Sequence, residues 1–237
     1  MKTPYDYKLV LPDGQSCTIE VHPKHVKNCT LRLTRDGRFT ASVPSRLSSA
    51  QIAEFLERHR MWVATKAVLF AEQHNKRLAY ANMFPLWGRL LSAAELLKHY
   101  EQLSSMRCNG HEHLKLEKLC IDVYHLETER ALLPLVEELE ATMHVHAAHW
   151  SVRSMKSRWG SCTPASARIR INARLAAYPP ECLRVVVAHE LVHLIERGHT
   201  KRFHMLLDCY APNNREVMAI LKRDPILLAA ENVSSEV

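Results

Sequence analysis

Over residues 1–45 apolar and polar positions alternate. Tyr7, Leu9 and Leu11 run up to Pro12-Asp13-Gly14, and Cys17, Ile19 and Val21 follow it. Leu31 and Leu33 precede Asp36-Gly37, and Phe39, Ala41 and Val43 come after. A period of two on either side of Asp-Gly predicts a β-hairpin, because such turns need residues at φ > 0. Two hairpins are therefore expected, closed by Pro44.

At Ser48 the period changes. Ser48 and Gln51 have capping-box spacing, and Leu47 is placed to staple onto Ile52. Ile52, Phe55, Leu56 and His59 continue one face toward Trp62, which predicts a helix over 48–62. Residues 70–125 carry weaker signals: a turn entering a short strand at 83–88, a helix over 92–103, and a loop at 108–111. A helical pattern covers 126–143, with Pro134 either kinking it or starting its main portion.

The later pattern is sharper. Trp150, Val152 and Ser154 predict a strand, residues 159–164 a tight loop, and residues 168–172 a strand with one basic face. Pro179-Pro180-Glu181 then opens a helix, with proline in the first turn and a carboxylate at the positive end of the macrodipole. It runs through Leu183, Val186, Val187, Leu191 and Leu194 and is expected to stop near Gly198. Short helices around 203–209 and 214–222 follow, and the last dozen residues read as a frayed tail. The fold class is α+β: a β-rich portion with a helix and an insert (1–125), packed on a second portion (126–237).

Composition adds constraints. The chain has 237 residues, 47% hydrophobic and 24% charged, which is ordinary for a globular protein with a real core. No apolar run is long enough to span a bilayer, so no membrane partner is expected. Pro4, Asp6 and Lys8 stand where a signal peptide needs a continuous apolar stretch. The seven scattered cysteines are an odd number, which suits a reducing compartment; the expected location is the cytoplasm. Residues 151–202 hold ten Lys/Arg against three acids (Glu181, Glu190 and Glu196), which equals the whole net charge of +7. That segment suits an anionic partner, acidic peptide or nucleic acid.

One helix carries recognisable chemistry. His189-Glu190-Leu191-Val192-His193 is an H-E-x-x-H motif. Residues four apart share a helical face, so both imidazoles can bind one metal ion. Glu190 projects beside such an ion and suits a general base acting on metal-bound water. In a chain with 15 histidines about 0.075 accidental matches are expected, and the helical context with its apolar flanks raises the specificity further. A catalytic zinc takes three protein ligands and keeps one position open. His199 is the best third ligand, with Gly198 able to end the helix in a left-handed conformation and fold the chain back. Glu196 lies about 7–8 Å too far along the axis, given the helical rise. His204 is a weaker rival from the next helix. Cys108, His111, His113 and Cys120 match no standard zinc spacing. Cys162 is expected to pack rather than to bind metal.

The run from Val152 to Cys162, Ile171-Asn172, the run from Val186 to Leu194, and His199 to Phe203 together resemble the YgjP-type metal-dependent hydrolases, zincin metallopeptidases related to SprT-like peptidases. The resemblance is tight over about 150–212 and continues weakly upstream. It implies a zincin-like unit, with His189, His193 and His199 as zinc ligands and Glu190 as catalytic base. The chain departs from the family in carrying His204 where tryptophan usually follows the phenylalanine. SprT-like relatives act on proteins attached to DNA, a setting that the basic segment would suit.

The expected function is zinc-dependent hydrolysis of a peptide bond in a protein or peptide substrate. The substrate is expected to lie along the strand of Ile169 and Ile171, with Tyr210, Tyr178 and Arg153 as candidate oxyanion donors. Two other classes fit the same residues: a nucleic-acid-associated module with a structural or vestigial zinc site, and a metal-dependent hydrolase of small amides.

Overall fold

A computed structural model describes residues 3–34, 36–104 and 116–234. The loop expected at 108–111 lies outside them, as do His113 and the cysteine and histidine of that loop. The chain forms two compact units, Met1–Ala79 and Tyr80–Val237. The boundary expected at 125/126 falls inside a continuous helix, and the division comes at 79/80 instead.

The first unit holds both expected hairpins. β1 (Tyr5–Val10) pairs antiparallel with β2 (Ser16–Lys24), and β3 (Thr30–Leu33) pairs antiparallel with β4 (Phe39–Pro44). Gly14 and Gly37 each sit at φ 82 in the turns. β2 and β4 pair in parallel and join the hairpins into one sheet, ordered β1-β2-β4-β3. Its alternating residues, Leu9, Ile19, Val21, Phe39, Ala41 and Val43, are buried with Ile52 and Leu56 of α1 (Ser49–Arg58) and Val63 of α2 (Arg60–Ala79). The capping box at Ser48 is formed. The helix expected to reach Trp62 breaks at His59, whose ring nitrogen bonds the Phe55 carbonyl at 2.8 Å in place of a regular helical donor. A second helix then starts at Arg60.

The second unit opens with a hairpin of β5 (Met83–Leu86) and β6 (Arg89–Ser92). Its two turn residues, Trp87 and Gly88, have φ 49 and 77, the left-handed pair that a two-residue hairpin turn requires. α3 (Ala93–Ser104) and α4 (Leu116–Met143) follow. Pro134 sits inside α4, which is one continuous helix of 28 residues. β7 (His149–Arg153), β8 (Gly160–Thr163) and β9 (Arg168–Asn172) form a sheet ordered β7-β9-β8. Residues 160–163, expected as part of a tight loop, are thus an edge strand paired antiparallel with β9. α5 (Pro180–Ile195), α6 (Lys201–Tyr210), α7 (Asn214–Ile220) and α8 (Pro225–Ser234) complete the unit.

α5 is buried along most of its surface, with Cys182, Leu183, Val185, Val186, Val187 and Ala188 all inside the core. A helix apolar on nearly all sides belongs at the centre of its unit. The frayed tail expected at the C-terminus is instead α8. Asp224 accepts from the Ile226 N–H at 2.9 Å, Pro225 opens the helix, and Leu228, Ala229 and Ala230 are buried. The mixed α and β content is that of the expected class. Among the described residues no helix is long and apolar enough to cross a membrane.

Candidate metal centre

His189 and His193 lie one helical turn apart near the end of α5. The helix stops at Ile195, earlier than expected, and Glu196 leaves it in extended backbone at φ −135, ψ 108. Gly198 is not among the residues of positive φ, so the left-handed reversal expected there is not used. The turn closes through other groups: the Thr200 N–H bonds the Gly198 carbonyl at 2.8 Å, and His193 Nδ1 lies 3.3 Å from the Glu196 carbonyl. Thr200 then caps α6, accepting from the Phe203 N–H at 3.2 Å. His199 is held between these two anchors.

The three histidines converge. One ring nitrogen from each of His189, His193 and His199 lies within 4.8 Å of the others, and Nε2 of His189 and His199 are 3.3 Å apart. Two nitrogens bound at about 2.1 Å to one tetrahedral zinc stand roughly 3.4 Å apart, so the donor set fits that ion. Among the described residues this is the group of three or more His, Cys, Asp or Glu spaced to hold a metal. Phe203 is fully buried beneath it, with ring centroids 4.9, 4.7 and 4.7 Å from His189, His193 and His199. His204 is exposed, its ring 6.4 Å from that of His199, and it stands outside the group with Glu196 and Cys162.

Protonation favours ligation. Burial, reinforced by His193, His199 and His204, pulls His189 down to about 4. Burial also lowers His193. Both imidazoles are thus neutral at pH 7 and offer a lone pair. The Glu196 carbonyl can only accept, so His193 carries its proton on Nδ1 and keeps Nε2 free.

Glu190 follows His189 on α5, about 100° round the helix from it, and is only 5% exposed. Burial pushes its carboxyl up to about 7, against the opposing pull of the Cys162 backbone N–H and the Arg158 charge. Its carboxylate rests on β8: a Cβ added to Gly160 would stand 2.4 Å from Oε1. Gly160 is a site residue that sequence reasoning missed, although a glycine inside a strand marks a close approach. Burial, then the Glu190 charge, push the Cys162 thiol up to about 11.

The segment leading into β8 is fixed by Asn172, which is 2% exposed. Its Nδ2 donates to the carbonyls of Met155 (2.9 Å) and Arg158 (2.7 Å), and its Oδ1 accepts from the N–H groups of Met155 and Arg174. Two expectations change. β9 is the central strand, paired on both sides, so no peptide can add along Ile169 and Ile171. The Tyr178 hydroxyl is committed to the Arg223 carbonyl at 3.0 Å, in a buried residue, and is not an oxyanion donor.

Comparison with protein families matches residues 27–224 to the YgjP-like, metallopeptidase domain, and the chain belongs to that family. No curated protein matches the chain.

Proposed function

We propose that the protein is a zinc-dependent metallopeptidase in which His189, His193 and His199 hold the ion and Glu190 is the general base. The convergence of three imidazole donors beside a buried carboxylate carries this reading. A zinc ion held there supplies Lewis acidity, acidifying a water molecule and polarising a carbonyl. Glu190 takes a proton from the attacking water and returns it to the leaving amine. Its raised basicity suits that exchange near neutral pH, and Gly160 lets it reach its position without a clash. An extended protein or peptide segment would add to the open edge of β8, beside Glu190, as an extra strand.

Glu190→Gln tests the mechanism. The amide removes the base and leaves the three histidines in place. Zinc content of the purified variant should match the wild type, and turnover of an unfolded protein substrate should fall by about 10²–10⁴. Wild-type turnover in the variant would refute the assignment.

A further inference from the structure

Between Glu20 and Glu54 the chain carries six Lys/Arg and a single acid, Asp36, whose carboxylate is held by Arg38 at 2.6 Å. Three of the six, Lys24, Lys27 and Arg46, gather with His25 and Ser45 around a hollow of about 370 Å³ in the first unit. Val26 and Pro44 complete the lining, and no carboxylate enters it. Lys24, Lys27 and Arg46 are exposed and make no ion pair with a described residue.

The hollow is built on rigid backbone. Lys24 ends β2 and Pro44 ends β4, and the two residues are partners in the parallel ladder. The Val26 and Ser45 N–H groups both bond the Lys24 carbonyl, at 2.9 and 3.1 Å, and the Leu47 N–H bonds the Pro44 carbonyl at 3.1 Å. Two turns at the carboxyl ends of parallel strands therefore present their cations toward one space.

We propose that this hollow binds the phosphates of a nucleic-acid backbone. Every charged group lining it is a cation or can become one, so an anion is the only charged ligand that it favours. The cations stand on two separate turns, which suits successive phosphates better than one enclosed ion. No Phe, Tyr or Trp ring lines the hollow to stack a base, so recognition runs chiefly through the backbone. The proposal does not rest on the metal centre, which belongs to the other unit.

The test uses the full chain and a labelled single-stranded oligothymidylate, with anisotropy read across a salt series. The triple variant K24A/K27A/R46A should bind about tenfold or more weakly at low salt, and its salt slope should fall by about two. K24R/K27R/R46K should retain both affinity and slope, which separates charge from any disturbance of the fold. K201E/R202E, in the second unit, should leave the contribution of Lys24, Lys27 and Arg46 intact. Inorganic phosphate or polyglutamate at matched charge should fail to displace the oligonucleotide. Unchanged affinity and slope in K24A/K27A/R46A would overturn the proposal. Displacement by inorganic phosphate would replace it with a single-anion site, and displacement by polyglutamate would refute phosphate recognition.

Discussion

Glu190 occupies the space where a side chain on residue 160 would stand. Gly160→Ala would bring a methyl group to 2.4 Å from Oε1, closer than any real contact, so the carboxylate must move. A displacement of about 1 Å at a catalytic group costs on the order of 10² in rate. The variant should therefore lose about a hundredfold in turnover while its zinc affinity, read by chelator competition, stays at the wild-type value. Loss of zinc instead would mean that the glycine serves the histidines. His189, Glu190 and His193 were legible in the sequence because one helical turn fixes their relation. Gly160 was legible only as part of a family-like run, since its partner lies 30 positions away, across a sheet-to-helix contact that no local period encodes. Tyr178 was a fair oxyanion candidate by chemistry, and only the fold shows its hydroxyl committed to Arg223.

Elements with a local signal were legible: the hairpins of the first unit by their period of two, and α5 by its proline start and nearly unbroken apolar run. β8 has no such period: Gly160, Ser161, Cys162 and Thr163 form an edge strand whose identity comes from pairing with β9. α8 was hidden for a different reason. Asp224-Pro225 is a helix-start signal, but the burial of the helix depends on its packing against β5 and β6, far away in sequence. The junction between α4 and β7 offers a test of an element boundary. Glu140 accepts from the Ala147 N–H at 3.0 Å, Trp150 Nε1 at 2.9 Å and His146 Nδ1 at 2.9 Å. Burial raises its pKa, and these hydrogen bonds outweigh burial and hold it below the usual carboxylate range. Glu140→Ala strands those donors and should cost about 1–3 kcal/mol at neutral pH in chemical denaturation. A depressed carboxyl stabilises the fold above its unfolded pKa of about 4.3 and loses that contribution as pH falls through the folded value. The gap between wild type and variant should therefore close below about pH 4; a gap that persists there would assign the effect to packing rather than charge.

At the scale of the whole molecule, the net charge of +7 concealed its own distribution. Residues 151–202 account for the total, yet the stretch from 21 to 53 is also strongly basic, and acidic residues elsewhere cancel it in the sum. The division into Met1–Ala79 and Tyr80–Val237 was likewise hidden, because α2 carries the chain to the boundary without a proline, glycine or polar linker to announce it. That division sets the reach of the metal. All three histidines and Phe203 belong to the second unit, so zinc binding should stabilise that unit selectively. At a free zinc concentration a thousand times its dissociation constant, the gain is about 4 kcal/mol. Hydrogen exchange with zinc and with a chelator should therefore show slower exchange on zinc binding for amides of α5, β8, β9 and α6, and unchanged rates within Met1–Ala79. His199→Ala should abolish the difference, since it removes one of three converging nitrogens. His204→Ala should preserve it, since its exposed ring stands outside the group. Equal zinc protection of both units would show that they open as one cooperative body, and protection that survives His199→Ala but not His204→Ala would transfer the third ligand to His204.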